Sequence, residues 1–220
     1  AAGAALAAIG TAAVAGVKLL LDLSESTEEY RVAQGKLNTA FQAAGFSTDT
    51  ASAAYKSLYA VLGDTDNATE SAQLLAQLAT SEQDVATWAD IAAGVQGTFG
   101  DALPINSLIE ASNETAKVGQ VTGALADALN WVGISEDEFN EKLAACRDET
   151  ERTALITETL SAQYQNATDI FKENNATVMA AREAQAELDD ALARLGGTVS
   201  DVKTELTAEF MPAIADLVDA

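Results

Sequence analysis

Residues 80–99 read TSEQDVATWADIAAGVQGTF, and the placement of their large side chains decides the fold class. Val85, Trp88, Ala92, Val95 and Phe99 follow one another at spacings of three, four, three and four. That is the repeat of one buried face of an α-helix. Thr80 and Gln83 stand at the spacing of a capping box, which predicts where this helix begins. No strand-like alternation of apolar and polar residues interrupts the stretch.

The same pattern extends upstream. Ser47 opens a helix whose apolar positions are Tyr55, Leu58, Tyr59 and Leu62, and Gly63 ends it before the turn Asp64–Asn67. Leu74, Leu75 and Leu78 mark the next helix. Downstream, GTFGDALP reads as a loop, and Pro104 suits the first turn of a helix carrying Ile105, Leu108 and Ile109. Val121, Leu125, Leu129 and Val132 mark another helix, ending at Gly133. Ser135 and Glu138 form a second capping-box pattern, with Glu136 and Asp137 favourably placed against the helix dipole. Phe139, Leu143 and Cys146 are expected to face inward there. Leu155, Ile156, Leu160 and Tyr164 mark a last short helix.

From residue 167 the punctuation stops. Alternating steps of three and four from Phe171 pass through Asn174, Val178, Ala181, Gln185, Leu188, Leu192, Leu195, Val199, Val202 and Leu206. This is a heptad-like seam, polar in its first half and mostly Leu and Val in its second. Leu188, Leu192, Leu195, Val199, Val202 and Leu206 are the candidate helix-packing interface. Two readings fit: a long amphipathic helix packed on its own domain, or an intermolecular coiled coil. Gly196-Gly197 predicts a flexible break. The sequence therefore describes an all-α chain in three parts. Residues 1–21 are an Ala/Gly-rich apolar segment, and 22–165 a domain of short amphipathic helices. Residues 166–220 form a long heptad-like helical segment.

Residues 1–21, AAGAALAAIGTAAVAGVKLLL, hold no acid and only Lys18. They are long enough for a membrane helix, but Ala and Gly insert weakly and Gly3, Gly10 and Gly16 lower helix propensity. A closely packed buried helix, a segment able to enter a membrane and a disordered stub are all compatible with them. The chain opens on Ala1 and stops at Ala220 inside a helical pattern, which reads as an internal piece of a longer protein. No signal-peptide layout is present.

Composition narrows the function. Twelve basic residues against 34 acidic ones give a formal charge of −22, which repels a phosphate backbone and argues against direct nucleic-acid binding. Aromatics are 5% of the chain, so the core must be built from Ala and Leu. With no histidine and one cysteine, His-dependent triads, His-ligated metals and thiolate zinc clusters are excluded. DTDNATESAQLL resembles the start of a calcium loop at Asp64 and Asp66 but lacks Gly at its sixth position and Glu at its twelfth. Gly94, Gly97 and Gly100 in GVQGTFG do not have dinucleotide-fold spacing and read as a helix fraying into a loop. Paired acids such as Asp148/Glu149 and Asp189/Asp190 read as solvated faces. No catalytic residue, metal ligand or cofactor site is expected.

Three phrases carry a resemblance: YAVLGDTDNATESAQLLAQLA at 59–79, WADIAAGVQGTFGDALPINSLIEASNETAKVGQVTGALADALNWVGISEDEFNEKLAAC at 88–146, and ERTALITETL at 151–160. Together they resemble tape measure proteins of long-tailed phages and prophages, especially those of Gram-positive hosts. The resemblance implies a non-enzymatic structural and assembly protein of the virion tail that sets tail-tube length and is ejected to assist genome delivery. It implies the tail-tube protein, tail assembly chaperones and other tape measure copies as partners. It places the protein in the host cytoplasm during assembly, in the tail lumen of the virion, and in the host envelope during infection, with 1–21 as the membrane-contacting candidate. A membrane-perturbing helical protein and a cell-wall hydrolase within a tape measure protein are the alternatives.

Overall fold

The computed structural model describes residues 27–218, with side chains through residue 198 and at Asp201. The chain is all-α. Its helices, in order, are α1 (Glu28–Ala43), α2 (Thr48–Leu62), α3 (Thr65–Leu78), α4 (Glu82–Phe99), α5 (Ile105–Val118), α6 (Gly123–Trp131), α7 (Glu136–Ala145) and α8 (Glu149–Val218). A 3₁₀ turn at Gly100–Ala102 separates α4 from α5. The Ala/Gly-rich segment 1–21 lies outside the described residues. No helix among the described residues is long and apolar enough to cross a membrane.

The helix starts follow side-chain chemistry. Ser47, Asp64, Ser81 and Ser135 are N-caps whose side-chain oxygens accept the N–H of Thr50, Asn67, Asp84 and Glu138. The cap of α4 is Ser81, one residue beyond the predicted Thr80. Thr80 instead donates its N–H and hydroxyl to the Asp84 carboxylate at 2.9 and 2.7 Å, so the acid at the third helical position reaches back past the cap. Asp64, in the calcium-like turn, is the N-cap of α3. Gly63 and Gly119 close α2 and α5 with φ of 72° and 76°. Threonines inside helices return their hydroxyls to the carbonyl four residues back, as at Thr69, Thr87, Thr98 and Thr159, which reconciles them with helical structure.

Two compact units are present, residues 34–186 and a second comprising 1–33 with 187–220. The larger unit extends past position 165 and takes in the first part of α8. In it α2 packs on α3 and α4, α3 packs on α5, and α5 packs on α6. Trp88, Tyr55, Phe41, Phe139 and Tyr164 are its largest fully buried side chains, with Leu58, Leu75, Ile91, Leu108, Leu125 and Leu160 around them. Between these sit alanines with almost no exposure, among them Ala51, Ala54, Ala68, Ala72, Ala92 and Ala116. Small residues bury little area each but let helix axes approach closely.

Three expectations are corrected by the course of the chain. The short helix marked by Leu155 to Tyr164 is not separate: α8 begins at Glu149 and runs for 70 residues. Gly196-Gly197 does not break it, and the pair remains helical with Gly196 buried. Cys146 does not face inward with Phe139 and Leu143. It is the C-terminal cap residue of α7, partly exposed, its thiol donating to the Lys142 carbonyl at 3.5 Å.

GVQGTFG is also more ordered than a fraying end. Gly94 and Gly97 lie inside α4, one turn apart, where α8 crosses it. A Cβ on Gly94 would stand 2.6 Å from Thr168 Oγ1 and 2.8 Å from the Tyr164 carbonyl oxygen, and one on Gly97 would stand 3.1 Å from Phe171. Glycine at position 94 is thus a spacing requirement. Gly94→Ala should push α4 and α8 apart and cost about 1–3 kcal/mol, measured as a lowered urea midpoint. Unchanged stability would show that the helices do not cross this closely.

Candidate functional site

The candidate interface lies on α8, and the helix carries two stripes. One is covered by the chain itself. Thr153, Ile156, Leu160, Tyr164 and Thr168 are buried, and further along Ala186 and Ala193 are buried too. The other is the heptad seam, where Val178, Leu188 and Leu195 are 48%, 51% and 48% exposed. In the second half of the helix the stripes differ by one residue: Ala186, Ala193 and Gly196 against Gln185, Leu192 and Leu195. One residue is about 100° around a helix. The chain therefore covers the small-residue stripe and leaves the large apolar one half-open. Leu192 is intermediate, while the side chains of Val199, Val202 and Leu206 lie outside the described residues.

Polar side chains fix α8 against the larger unit, and the sequence alone gave no sign of them. Arg182 Nη1 donates to the Ala60 and Val61 carbonyls at 3.0 and 2.8 Å, at the C-terminal end of α2. Arg152 donates from Nε to the Ala116 carbonyl and from Nη2 to the Lys117 carbonyl at 3.4 Å, at the end of α5. The Tyr164 hydroxyl donates to the Ala128 carbonyl at 2.8 Å, in the last turn of α6. Along α4, Trp88 Nε1 donates to Thr157 Oγ1 at 3.1 Å, Thr168 Oγ1 donates to the Asp90 carbonyl at 2.8 Å, and Lys172 Nζ pairs with the Asp90 carboxylate at 2.6 Å. The last four carbonyls of a helix lack intrahelical partners and sit at its negative end, so a guanidinium there satisfies both a hydrogen bond and a charge.

Gly63 makes the Arg182 contact possible. Its left-handed φ closes α2, and a Cβ on it would fall 2.3 Å from the guanidinium. Outside this frame, Arg147 and Glu151 form an exposed i,i+4 pair. The hydrogen bond to Arg147 lowers the Glu151 carboxyl below its usual range.

Among the described residues no three His, Cys, Asp or Glu side chains converge as a metal site. Asp148 caps the start of α8 by accepting the Glu151 N–H at 2.9 Å, and Asp190 pairs with Arg194 at 3.1 Å. What the arrangement offers is a long helix held along its first part by Ile156, Leu160, Tyr164 and polar ties, with Ala186 and Ala193 buried further on and Leu188 and Leu195 half-exposed.

Tyr164 gives a pH test of this frame. Burial pushes its hydroxyl up to about 12 from an ordinary 10. Between those values the unfolded chain has released this proton and the folded chain keeps it, so stability should fall as pH rises from 10 toward 12. Tyr164→Phe should flatten that fall in urea titrations at stepped pH; an identical slope in the variant would refute it. No protein-family model, curated protein or solved structure matches the chain.

Proposed function

We propose that this chain is a segment of a phage tail tape measure protein, a structural and assembly component that sets tail-tube length and acts by occupying space as helix. The observation that carries the reading is α8. Its 70 residues form one helix, and at 1.5 Å per residue this is a contour of about 105 Å. A ruler needs a rise proportional to residue number, and an unbroken helix supplies it. The phrases at 59–79, 88–146 and 151–160 support the same reading by resemblance.

The half-exposed seam at Val178, Leu188 and Leu195 favours other copies of the same protein as partners, since each copy presents the same 3-4 spacing. On one flank of the seam Thr177, Ala184, Ala191 and Thr198 are uncharged, while the other flank carries Arg182 and Asp189, one charge of each sign. The tail-tube protein and tail assembly chaperones complete the proposed partners, in the host cytoplasm and then the tail lumen. The acidic surface suits a protein that must leave the tube ahead of DNA without binding it. No enzymatic step is part of this role.

In-frame removal of residues 187–214 from the full reading frame takes four heptads from α8 and spares the unit 34–186. Tails should shorten by about 42 Å, read as the mean length in electron micrographs. Tails of unchanged mean length would exclude a ruler role for this helix.

A further inference from the structure

A cleft in the larger unit has a chemistry that the ruler role does not use. It lies where α3, the end of α4 and the start of α5 meet. Asn67, Ser71, Gln96, Asp101 and Ser107 line it, against an apolar wall of Leu62, Pro104 and Ile105. Its volume is about 330 Å³, at the lower end of the range for small-ligand sites.

Two independent features leave hydrogen-bonding capacity unused there. Ser71 is fully buried, yet its hydroxyl has no hydrogen-bond partner among the described residues. A buried hydroxyl without a partner is costly, and native proteins seldom keep one without a reason. The second feature is the start of α5. Pro104 precedes it and supplies no side-chain cap, and no acid occupies the first turn. Asn106 Oδ1 accepts the Ser107 N–H at 2.8 Å, and its Nδ2 donates to the Glu70 carboxylate at 2.8 Å. The N–H groups of Ile105 and Asn106, first and second in the helix, have no intrahelical partner by position, and no side chain of Pro104 caps this end.

The charges define what would fit. N–H groups at the positive end of α5 call for an oxygen acceptor and disfavour a cation. Asp101 on the rim, and a chain of charge −22, disfavour an anion. A hydroxyl group answers both, because it accepts from the helix N–H and donates to the carboxylate. Several hydroxyls on one small frame would also reach Ser71 and Gln96 while their C–H face lies against Leu62 and Pro104. We propose that this cleft binds a small neutral polyhydroxylated ligand of about monosaccharide size.

The test is a titration of the 220-residue chain with D-glucose and with myo-inositol, followed by ¹⁵N–¹H shifts, with inorganic phosphate in a parallel series. The expected result is a saturable shift of the Ser71, Ile105 and Asn106 amides with at least one of the two polyols. Ser71→Ala should weaken that binding about tenfold, while the free variant unfolds at the same or a higher temperature because the unpartnered hydroxyl is gone. No saturable shift with either polyol would overturn the proposal, as would shifts produced by phosphate alone or binding to Ser71→Ala as tight as to the parent chain.

Discussion

Arg152, Tyr164 and Arg182 project from one helix and end on backbone carbonyls near the C-terminal ends of three others, α5, α6 and α2. The rest of the larger unit depends on this constraint. Its helices are short, and short helices owe most of their stability to tertiary packing. Aromatics are scarce and much of the core is alanine, so burial alone contributes little per residue. A hydrogen bond from a charged group to an otherwise unpaired carbonyl adds about 1–2 kcal/mol when the group is partly exposed. Basic residues number 12 against 34 acids, yet two arginines are placed at negative helix ends.

Close approach is the other half of this arrangement. Polar ties of 2.8–3.1 Å between α8 and its neighbours require the helix surfaces to touch. Gly94 meets that need under Thr168 and Tyr164, and Gly63 meets it under the Arg182 guanidinium. Small residues and ties belong together. The glycines and alanines bring backbones near enough for an arginine or a tyrosine to reach a neighbouring carbonyl. The ties then set the register that a smooth alanine surface leaves undetermined. Beyond the tied part of α8, Leu188 and Leu195 remain about half-exposed.

Much of this was legible in sequence because it is local. Helix positions came from spacing, and Ser47, Gly63 and Ser135 were recognised as ends because capping needs one residue type at one place. The cap of α4 was displaced by one residue since Thr80 and Ser81 are chemically equivalent candidates, and backbone geometry chooses Ser81. Ile156, Leu160 and Tyr164 stood out as apolar positions and are buried, but the burial of the later part of α8 was not legible. Hydrophobicity points to Leu188, Leu192 and Leu195, whereas the chain covers Ala186 and Ala193, selected by closeness rather than by size. Gly94 and Gly97 of GVQGTFG were misread for the same reason, as their purpose is a helix more than 60 positions away, whereas Gly100 does end the helix. Arg152 and Arg182 gave no local signal, because an arginine on a helix face is ordinary until its acceptor is known.

The proposed tail role and the fold meet in α8, which is spine to a compact unit over its first part and an uninterrupted helix beyond it. The polar ties of Arg152, Tyr164 and Arg182 all lie within the unit 34–186 and hold the first part of α8 to its short helices. Urea unfolding of two shortened chains, residues 1–148 and 1–186, bears on this most directly. The longer one keeps Arg152, Tyr164 and Arg182 and should retain a cooperative transition, while the shorter one should lose it. A cooperative transition in 1–148 at the midpoint of the whole chain would mean that the short helices hold together without the spine.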